Sequence, residues 1–238
     1  MTVKKNYYKL LKSEESEHIM AIQEYSINIR SREIFLHGFK ELPMGDDEEE
    51  LGLSFREAQK FLKNVTILNN ISKDPILVHM HTIGGEWRDS IAIYDVIKAS
   101  HAPVILIGYA QVRSMSSIIM QAADLRVMMP NTDFMLHHGE STYSGEVQTA
   151  QSQAEWDRIR TTPTMMKIYA DSAKRSDRFR GKKKAVILEF LNDKLSRKGD
   201  WYLTSTESVQ HGFADGVFGS KGFESLEKIR SKRVIKRR

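Results

Sequence analysis

Two apolar runs separated by a glycine turn and a helical segment decide the fold of this chain. The first run is ILVHM at residues 76–80, and the turn IGG at residues 83–85 follows it. Apolar residues then recur at helical spacing from Trp87 to Ile97, before the second run, VILIGYA at residues 104–110. A strand, a turn, a helix and another strand make the unit from which parallel sheets are built. The sequence therefore predicts a layered α/β fold with a mostly parallel sheet.

The alternation of strands and helices continues on both sides of this unit. Extended chain is predicted from Ile27, and a helix over residues 54–70. A long helix is expected between Gly145 and Asp171, interrupted near Pro163 because proline lacks the N–H that a helix interior needs. The other predicted elements are a helix over 114–124, strands over 125–129 and 133–138, a helix over 184–195, a short helix opened by the capping box at 204–207, and a strand after Asp215-Gly216.

Composition narrows the class of protein. A length of 238 residues fits one globular domain of the larger kind, or one domain with appendages, better than two independent domains. With 40% hydrophobic and 28% charged residues, the composition is that of an ordinary folded protein. No run approaches the roughly 20 apolar residues that cross a bilayer, and the N-terminus has no apolar signal segment. The chain has no cysteine, which excludes disulfides, thiolate metal sites and cysteine nucleophiles. We therefore expect a cytoplasmic protein without a membrane partner.

The formal net charge of +5 depends on one segment. Residues 228–238, KIRSKRVIKRR, hold seven of the 36 basic side chains and no acidic one, so the rest of the chain has 29 basic and 31 acidic residues. A second basic cluster at 174–184 is opposed by the acidic run at 46–50. No nucleic-acid motif accompanies these runs, so we interpret them as solvated loops and tails rather than a nucleic-acid surface, with docking to a partner as the alternative.

Four places in the sequence could carry chemistry. They are the pair Gly84-Gly85 after a strand, Ser114 where a strand passes into a helix, His137 at a strand end, and Asp200 before the apolar triplet WYL. Each has an ordinary structural explanation when it is taken alone. A serine that opens a helix is usually its N-cap, a histidine at a strand end is usually a satisfied polar residue, and glycine or aspartate usually marks a turn.

Taken in order, four segments resemble the proteolytic subunit of the Clp protease, a family of serine peptidases. The family's oxyanion segment, Asn-Ser-Pro-Gly-Gly and then Ala-Ile-Tyr-Asp, is similar to HTIGG at 81–85 and AIYD at 92–95. Its nucleophile segment, Gly-Met-Ala-Ala-Ser-Met-Gly, resembles GYAQVRSMS at 108–116. Its Leu-Pro-Asn turn before Val-Met-Ile-His-Gln resembles MPNTDFMLHH at 129–138. Its Arg-Asp-x-Phe-Leu run, with the later Tyr-Gly-Leu-x-Asp, resembles GDWYLT at 199–204 and HGFAD at 211–215.

The resemblance implies a role for each of these residues. Ser114 would be the nucleophile, His137 the general base and then acid, and Asp200 the carboxylate that orients the imidazole. The backbone N–H groups of Gly85 and Met115 would form the oxyanion hole. No cofactor and no metal are implied.

The sequence departs from the family pattern around the nucleophile and the histidine. Val112 and Arg113 stand where the family has small residues, and Ser116 stands where it has glycine. The family's proline before the glycine pair is Ile83 here, and its Gln-Pro after the histidine is His138-Gly139, which leaves two adjacent histidines. Alignment favours His137 as the base. These departures affect mainly which substrates we expect the protein to prefer, and to a lesser degree whether we expect it to be active.

The family also implies an architecture. It predicts a ClpP/crotonase-like fold over 27–222, with a helical handle near 145–198 that is remodelled by surplus residues around 174–184, a charged arm over 1–26 and a basic tail over 223–238. It further implies a serine endopeptidase that degrades unfolded polypeptides inside heptameric rings stacked in pairs. No GxxxxGK[ST] motif occurs, so ATP would be hydrolysed by a separate AAA+ unfoldase.

Three other functions fit these residues less well. A catalytically weak or inactive ClpP-like ring subunit would keep the fold, but such subunits typically lack part of the triad. A crotonase-fold enzyme acting on acyl-CoA would need no serine, histidine and aspartate set. A zinc site at His79 and His81 lacks a carboxylate or a third histidine at ligand spacing.

Overall fold

The computed structural model describes residues 14–38, 52–234 and 236. Its strands are β1 (Ile27–Asn28), β2 (Glu33–Leu36), β3 (Ile76–Thr82), β4 (Val104–Arg113), β5 (Leu125–Met128), β6 (Asp133–Leu136), β7 (Trp201–Thr204) and β8 (Gly216–Val217). The α-helices of the described residues are α1 (Glu14–Tyr25), α2 (Phe55–Ile71), α3 (Trp87–Ala99), α4 (Met115–Ala122), α5 (Val147–Trp156), α6 (Thr162–Ala173), α7 (Lys184–Lys198), α8 (Ser205–Gln210) and α9 (Leu226–Ser231).

One sheet organises the molecule, with neighbouring strands in the order β1-β2-β3-β4-β5-β8. The pairs β2/β3, β3/β4, β4/β5 and β5/β8 are parallel, so the predicted α/β fold with a mostly parallel sheet is confirmed. Strand β4 is long enough to pair with β5 along its first part and with β6 along its last residues. Strand β7 then pairs with β6 in antiparallel register.

The two central strands are buried on both faces, which explains their unbroken apolar runs. Side chains of a strand point alternately to opposite faces. Val78 and Leu106 face the larger core, which the helices α2, α3 and α4 cover. Leu77 and Ile105 face a smaller cluster on the opposite side. The sheet is therefore the middle layer of a layered α/β structure.

Helix boundaries follow local sequence signals. Ser54 and Glu57 form a capping box at the start of α2, and Thr204 and Glu207 form the predicted one at the start of α8. The long helix expected between Gly145 and Asp171 consists of α5, a π-helical turn at Asp157–Thr161, and α6. Pro163 lies in the first turn of α6. The interruption is thus a π turn rather than a break. In this wider turn the backbone hydrogen-bond pattern changes just before the proline.

The basic C-terminal segment differs from the solvated tail that its charge indicated. Residues 226–231 form α9, and Ile229 is fully buried in the smaller cluster. Arg230 donates a hydrogen bond to the carbonyl oxygen of Ser31, and Lys236 donates to Asp124. The segment packs on the sheet because the sheet face around Leu77 is apolar, and α9 removes that face from water. The acidic run at 46–50 and residues 1–13 lie outside the described residues.

No helix in the described part of the chain is both long and apolar enough to cross a membrane.

Candidate active site

The sheet register brings Ser114, His137 and Asp200 together. Ser114 follows the last residue of β4, His137 follows β6, and Asp200 precedes β7. Because β4 pairs with β6 and β6 pairs with β7, these three chain ends meet at one edge of the sheet. The Ser114 Oγ lies 2.7 Å from His137 Nε2, and His137 Nδ1 lies 3.3 Å from Asp200 Oδ1. A hydroxyl, an imidazole and a carboxylate therefore lie in series, with a hydrogen bond between the first two and an ion-pair distance between the last two.

Ser114 occupies an unusual backbone conformation. Its φ is +50° and its ψ is −125°, a region that side-chain-bearing residues rarely adopt and that costs about 1–3 kcal/mol. The Ser114 N–H donates to the carbonyl oxygen of Met135 at 3.0 Å, which anchors the turn to β6. Its side chain makes no capping bond to helix α4. Ser114 therefore stands at the N-cap position of α4 without capping the helix through its side chain, and the strained turn aims its hydroxyl at His137 instead.

The glycine pair approaches the nucleophile turn closely. Gly84 has φ +115°, and a Cβ there would lie 2.8 Å from Ser114 Cβ. Leu53 holds the backbone on both sides of Gly85: its N–H donates to the carbonyl oxygen of Gly84 at 2.6 Å, and its carbonyl accepts from the N–H of Glu86 at 3.1 Å. In this parallel bridge the N–H of Gly85 itself points away from Leu53.

Both sequence-predicted oxyanion donors line the same cleft as Ser114 and His137. Met115 is the first residue of α4, so its N–H has no acceptor within that helix. The helix N-terminus also places a partial positive charge there. The arrangement can thus present N–H donors to an oxygen that gains negative charge beside Ser114.

The cleft is large enough for an extended polypeptide, with a volume of about 1220 Å³. The cleft is lined by the nucleophile turn and α4, by the loop after His137, and by α5 and α6. His138 also lines the cleft, but the hydrogen bond to Ser114 comes from His137. The apolar residues that line the cleft include Met115 and Ile118 from α4 and Met165 from α6.

The residues that depart from the family pattern have partners in the structure. The Arg113 guanidinium donates from Nε to Asp133 at 2.6 Å and lies over the ring of Tyr202, 5.5 Å from its centroid. Arg113 is not among the residues that line the cleft around Ser114. Ser116 is fully buried, and its hydroxyl lies within donating distance of the carbonyl oxygens of Arg113 at 2.6 Å and Thr82 at 2.9 Å.

His79 and His81, the two histidines of β3, contact residues other than the Ser114, His137 and Asp200 set. The Nδ1 of His79 lies 2.8 Å from the Tyr109 hydroxyl, and its Nε2 lies 3.7 Å from Glu33. Burial lowers the pKa of His79, which favours the neutral ring. His81 lies 3.4 Å from the Gln111 amide. Among the described residues, no group of three histidine, aspartate or glutamate side chains is placed to hold a metal ion.

Sequence reasoning missed two hydroxyls behind the nucleophile. Ser117 donates to the carbonyl oxygen of Ser114, and the Tyr169 hydroxyl lies 2.7 Å from the Ser117 hydroxyl. The position of Ser117, one helical turn after Ser114, was an available signal. Tyr169 comes from α6, 52 residues away, and only the folded chain brings it here.

A layered α/β chain with a serine, an imidazole and a carboxylate in series has the arrangement that serine hydrolases use. The sequence model of the family described as Clp protease matches residues 53–221. The chain therefore belongs to the Clp protease family, and the predicted resemblance and the predicted ClpP-like fold are confirmed.

Individual relatives agree with this assignment. ATP-dependent Clp protease proteolytic subunit 2 of Pseudomonas aeruginosa is 26% identical over 205 residues, which cover 84% of this chain and 86% of that protein. Proteolytic subunit 3 of Rhizobium etli is 25% identical over 195 residues, covering 76% of this chain and 93% of that protein. A solved structure of a ClpP1 mutant from Listeria monocytogenes matches with a TM-score of 0.58 at 20% identity, covering 84% of this chain and 96% of that one. The last likeness concerns the fold, and the family as a whole supports a proteolytic function.

Proposed function

We propose that this chain is an active serine endopeptidase in which Ser114, His137 and Asp200 are the catalytic residues. The observation that carries the proposal is the 2.7 Å contact between Ser114 Oγ and His137 Nε2 at a strained turn. A serine hydroxyl becomes a useful nucleophile only when a neighbouring base accepts its proton. The histidine must therefore be neutral and unprotonated at Nε2.

Asp200 supplies that condition. Its carboxylate lies 3.3 Å from His137 Nδ1, where it favours a ring proton on Nδ1 and so leaves Nε2 free to accept the serine proton. The same carboxylate stabilises the imidazolium that forms. Asp200 is half exposed, so water screens part of this interaction, and orientation of the ring is its main contribution.

The reaction proceeds in two halves. Ser114 Oγ attacks the carbonyl carbon of a peptide bond while its proton passes to His137 Nε2, and the carbonyl oxygen becomes an oxyanion. The N–H groups of Gly85 and Met115 donate to that oxyanion. His137 then gives the proton to the leaving amine and the C–N bond breaks. A water molecule next attacks the acyl-enzyme, losing its proton to His137, which returns it to Ser114 as the product acid leaves.

The names of the relatives, rather than the geometry, support a proposal for the assembly. Their names describe proteolytic subunits of an ATP-dependent Clp protease. We propose that this chain forms heptameric rings, stacked in pairs, around a chamber that receives unfolded polypeptide from an AAA+ unfoldase. Native mass spectrometry tests the ring size. Degradation of a folded substrate in the presence of ATP, measured with and without an added Clp ATPase, tests whether the chain works with an unfoldase partner.

Labelling with a fluorophosphonate tests the catalytic proposal, because this reagent reports an activated serine without a substrate or an unfoldase. We expect one adduct per chain, mapped to Ser114, and its loss in Ser114→Ala and His137→Ala. His138→Ala is the matched control and should label at nearly the wild-type rate. Folded, assembled wild-type protein that takes no label would favour the alternative of an inactive ring subunit.

A further inference from the structure

Two buried hydroxyls connect helix α6 to the backbone of the nucleophile. Ser117 is fully buried, and its Oγ donates to the carbonyl oxygen of Ser114 at 2.6 Å. The hydroxyl of Tyr169, which is 1% exposed, lies 2.7 Å from Ser117 Oγ. The Tyr169 ring is held edge-on against Phe213, 5.9 Å between centroids. Both hydroxyls are thus fixed by packing.

The direction of these hydrogen bonds follows from counting protons. A carbonyl oxygen only accepts, so Ser117 must use its single O–H on Ser114. Tyr169 must then be the donor to Ser117 Oγ. Burial raises the pKa of the Tyr169 hydroxyl, which keeps this donor protonated at any pH where the protein works. The chain of donors therefore runs from Tyr169 through Ser117 to Ser114.

The receiving carbonyl has a special position. The C=O of Ser114 and the N–H of Met115 belong to one planar peptide group, so fixing the direction of one fixes the other. Hydrogen bonds accepted by the carbonyl also polarise the group and make its N–H a stronger donor. That N–H is one of the two oxyanion donors of the proposed mechanism.

We propose that Tyr169 and Ser117 are positioning residues that orient and strengthen the Met115 N–H of the oxyanion hole. They act through the Ser114 carbonyl and not on the reacting atoms themselves. This inference rests on the proposed catalytic function. Helix α6, which also lines the cleft, then helps to hold the N–H donor that stabilises the transition state.

Single-atom deletions test the relay. Tyr169→Phe keeps the ring and removes only the hydroxyl, and Ser117→Ala removes only Oγ. Each should lower kcat on a fluorogenic peptide about 3- to 10-fold, the factor expected for loss of one neutral hydrogen bond, with KM unchanged. The inhibition constant of a peptide aldehyde, which forms a tetrahedral adduct with the serine, should rise by the same factor. The double variant should be no worse than Ser117→Ala, because both changes break one chain of bonds.

Two variants elsewhere in the fold control for loss of a hydrogen-bonded hydroxyl, one from a half-buried tyrosine and one from a buried serine. Tyr109→Phe removes a hydroxyl that contacts His79, and Ser208→Ala removes one that donates to the Thr204 carbonyl at 2.8 Å. Neither should change kcat. Wild-type-like kcat and aldehyde binding in Tyr169→Phe and Ser117→Ala, with Ser114 still labelled by a fluorophosphonate, would overturn the relay alone. Additive losses in the double variant would also overturn it. Wild-type protein without label would overturn the proposed function together with the relay.

Discussion

A methyl group added at Gly84 should inactivate the site because it clashes with the nucleophile turn, rather than because it unfolds the protein. In Gly84→Ala the new Cβ would lie 2.8 Å from Ser114 Cβ and 2.9 Å from both the Arg113 carbonyl oxygen and the Met115 nitrogen. Carbon atoms are in comfortable contact at about 3.5–4.0 Å, so the closest pair must separate by roughly 1 Å. Ser114 and the Met115 N–H would both move.

The magnitude follows from this displacement. A misplacement of about 1 Å costs on the order of 10²-fold in rate, so we expect the second-order rate of fluorophosphonate labelling at Ser114 to fall at least that far. The positive φ of +115° adds about 1–3 kcal/mol of backbone strain, which lowers the melting temperature.

Gly145→Ala separates the two effects. Gly145 has almost the same φ, +112°, but a Cβ there meets nothing within 4 Å. This variant should lose a similar amount of stability from strain and keep its labelling rate. Both variants are compared at about 20 °C below the lower of their melting temperatures, where each remains folded. If Gly84→Ala then labels within a few-fold of Gly145→Ala, the close approach of the glycine turn to Ser114 does not position the nucleophile.

The remaining predictions concern charged and titrating side chains. Asp200→Asn should lower kcat by about 10⁴-fold, the loss that serine proteases of the chymotrypsin type show when the histidine is held in the wrong tautomer, and steady-state peptidase assays with near-normal activity would contradict that role. Arg113→Ala should change the free energy of unfolding by less than about 1 kcal/mol in urea titrations, because its guanidinium and Asp133 are 34% and 36% exposed. Arg126→Met should cost about 3–5 kcal/mol in the same titration, because the Arg126 side chain is 1% exposed and its removal takes the guanidinium from Asp215 and a donor from Gln121. Burial, with Arg178 and Lys194 nearby, lowers the pKa of His211 below its ordinary 6.5, so the unfolded chain binds the proton first. The melting temperature should therefore fall as the pH drops below about 6.5, and His211→Phe should flatten that decline.

Local patterns predicted most of the secondary structure. The apolar run at 104–110 lies within β4, and the capping box at Thr204 opens α8 as expected. The strand extends to Arg113 because its last residues pair with β6, which is a tertiary contact that no local pattern contains. The prediction of a solvated tail was wrong for residues 226–231 for a similar reason. Seven basic residues near the end of the chain indicate solvent, whereas the apolar sheet face around Leu77 binds Ile229.

The sequence by itself determined which chemical groups are available. With no cysteine, a nucleophile must be oxygen or nitrogen, and the order of the motifs singled out Ser114, His137 and Asp200. Only the tertiary structure decided their geometry, because the distances depend on the register of β4, β6 and β7, which are far apart along the chain. It also decided the strain at Ser114 and the contact between Tyr169 and Ser117. Residue types can be read from a chain, but hydrogen bonds between distant residues exist only once the packing of sheet and helices has set their positions.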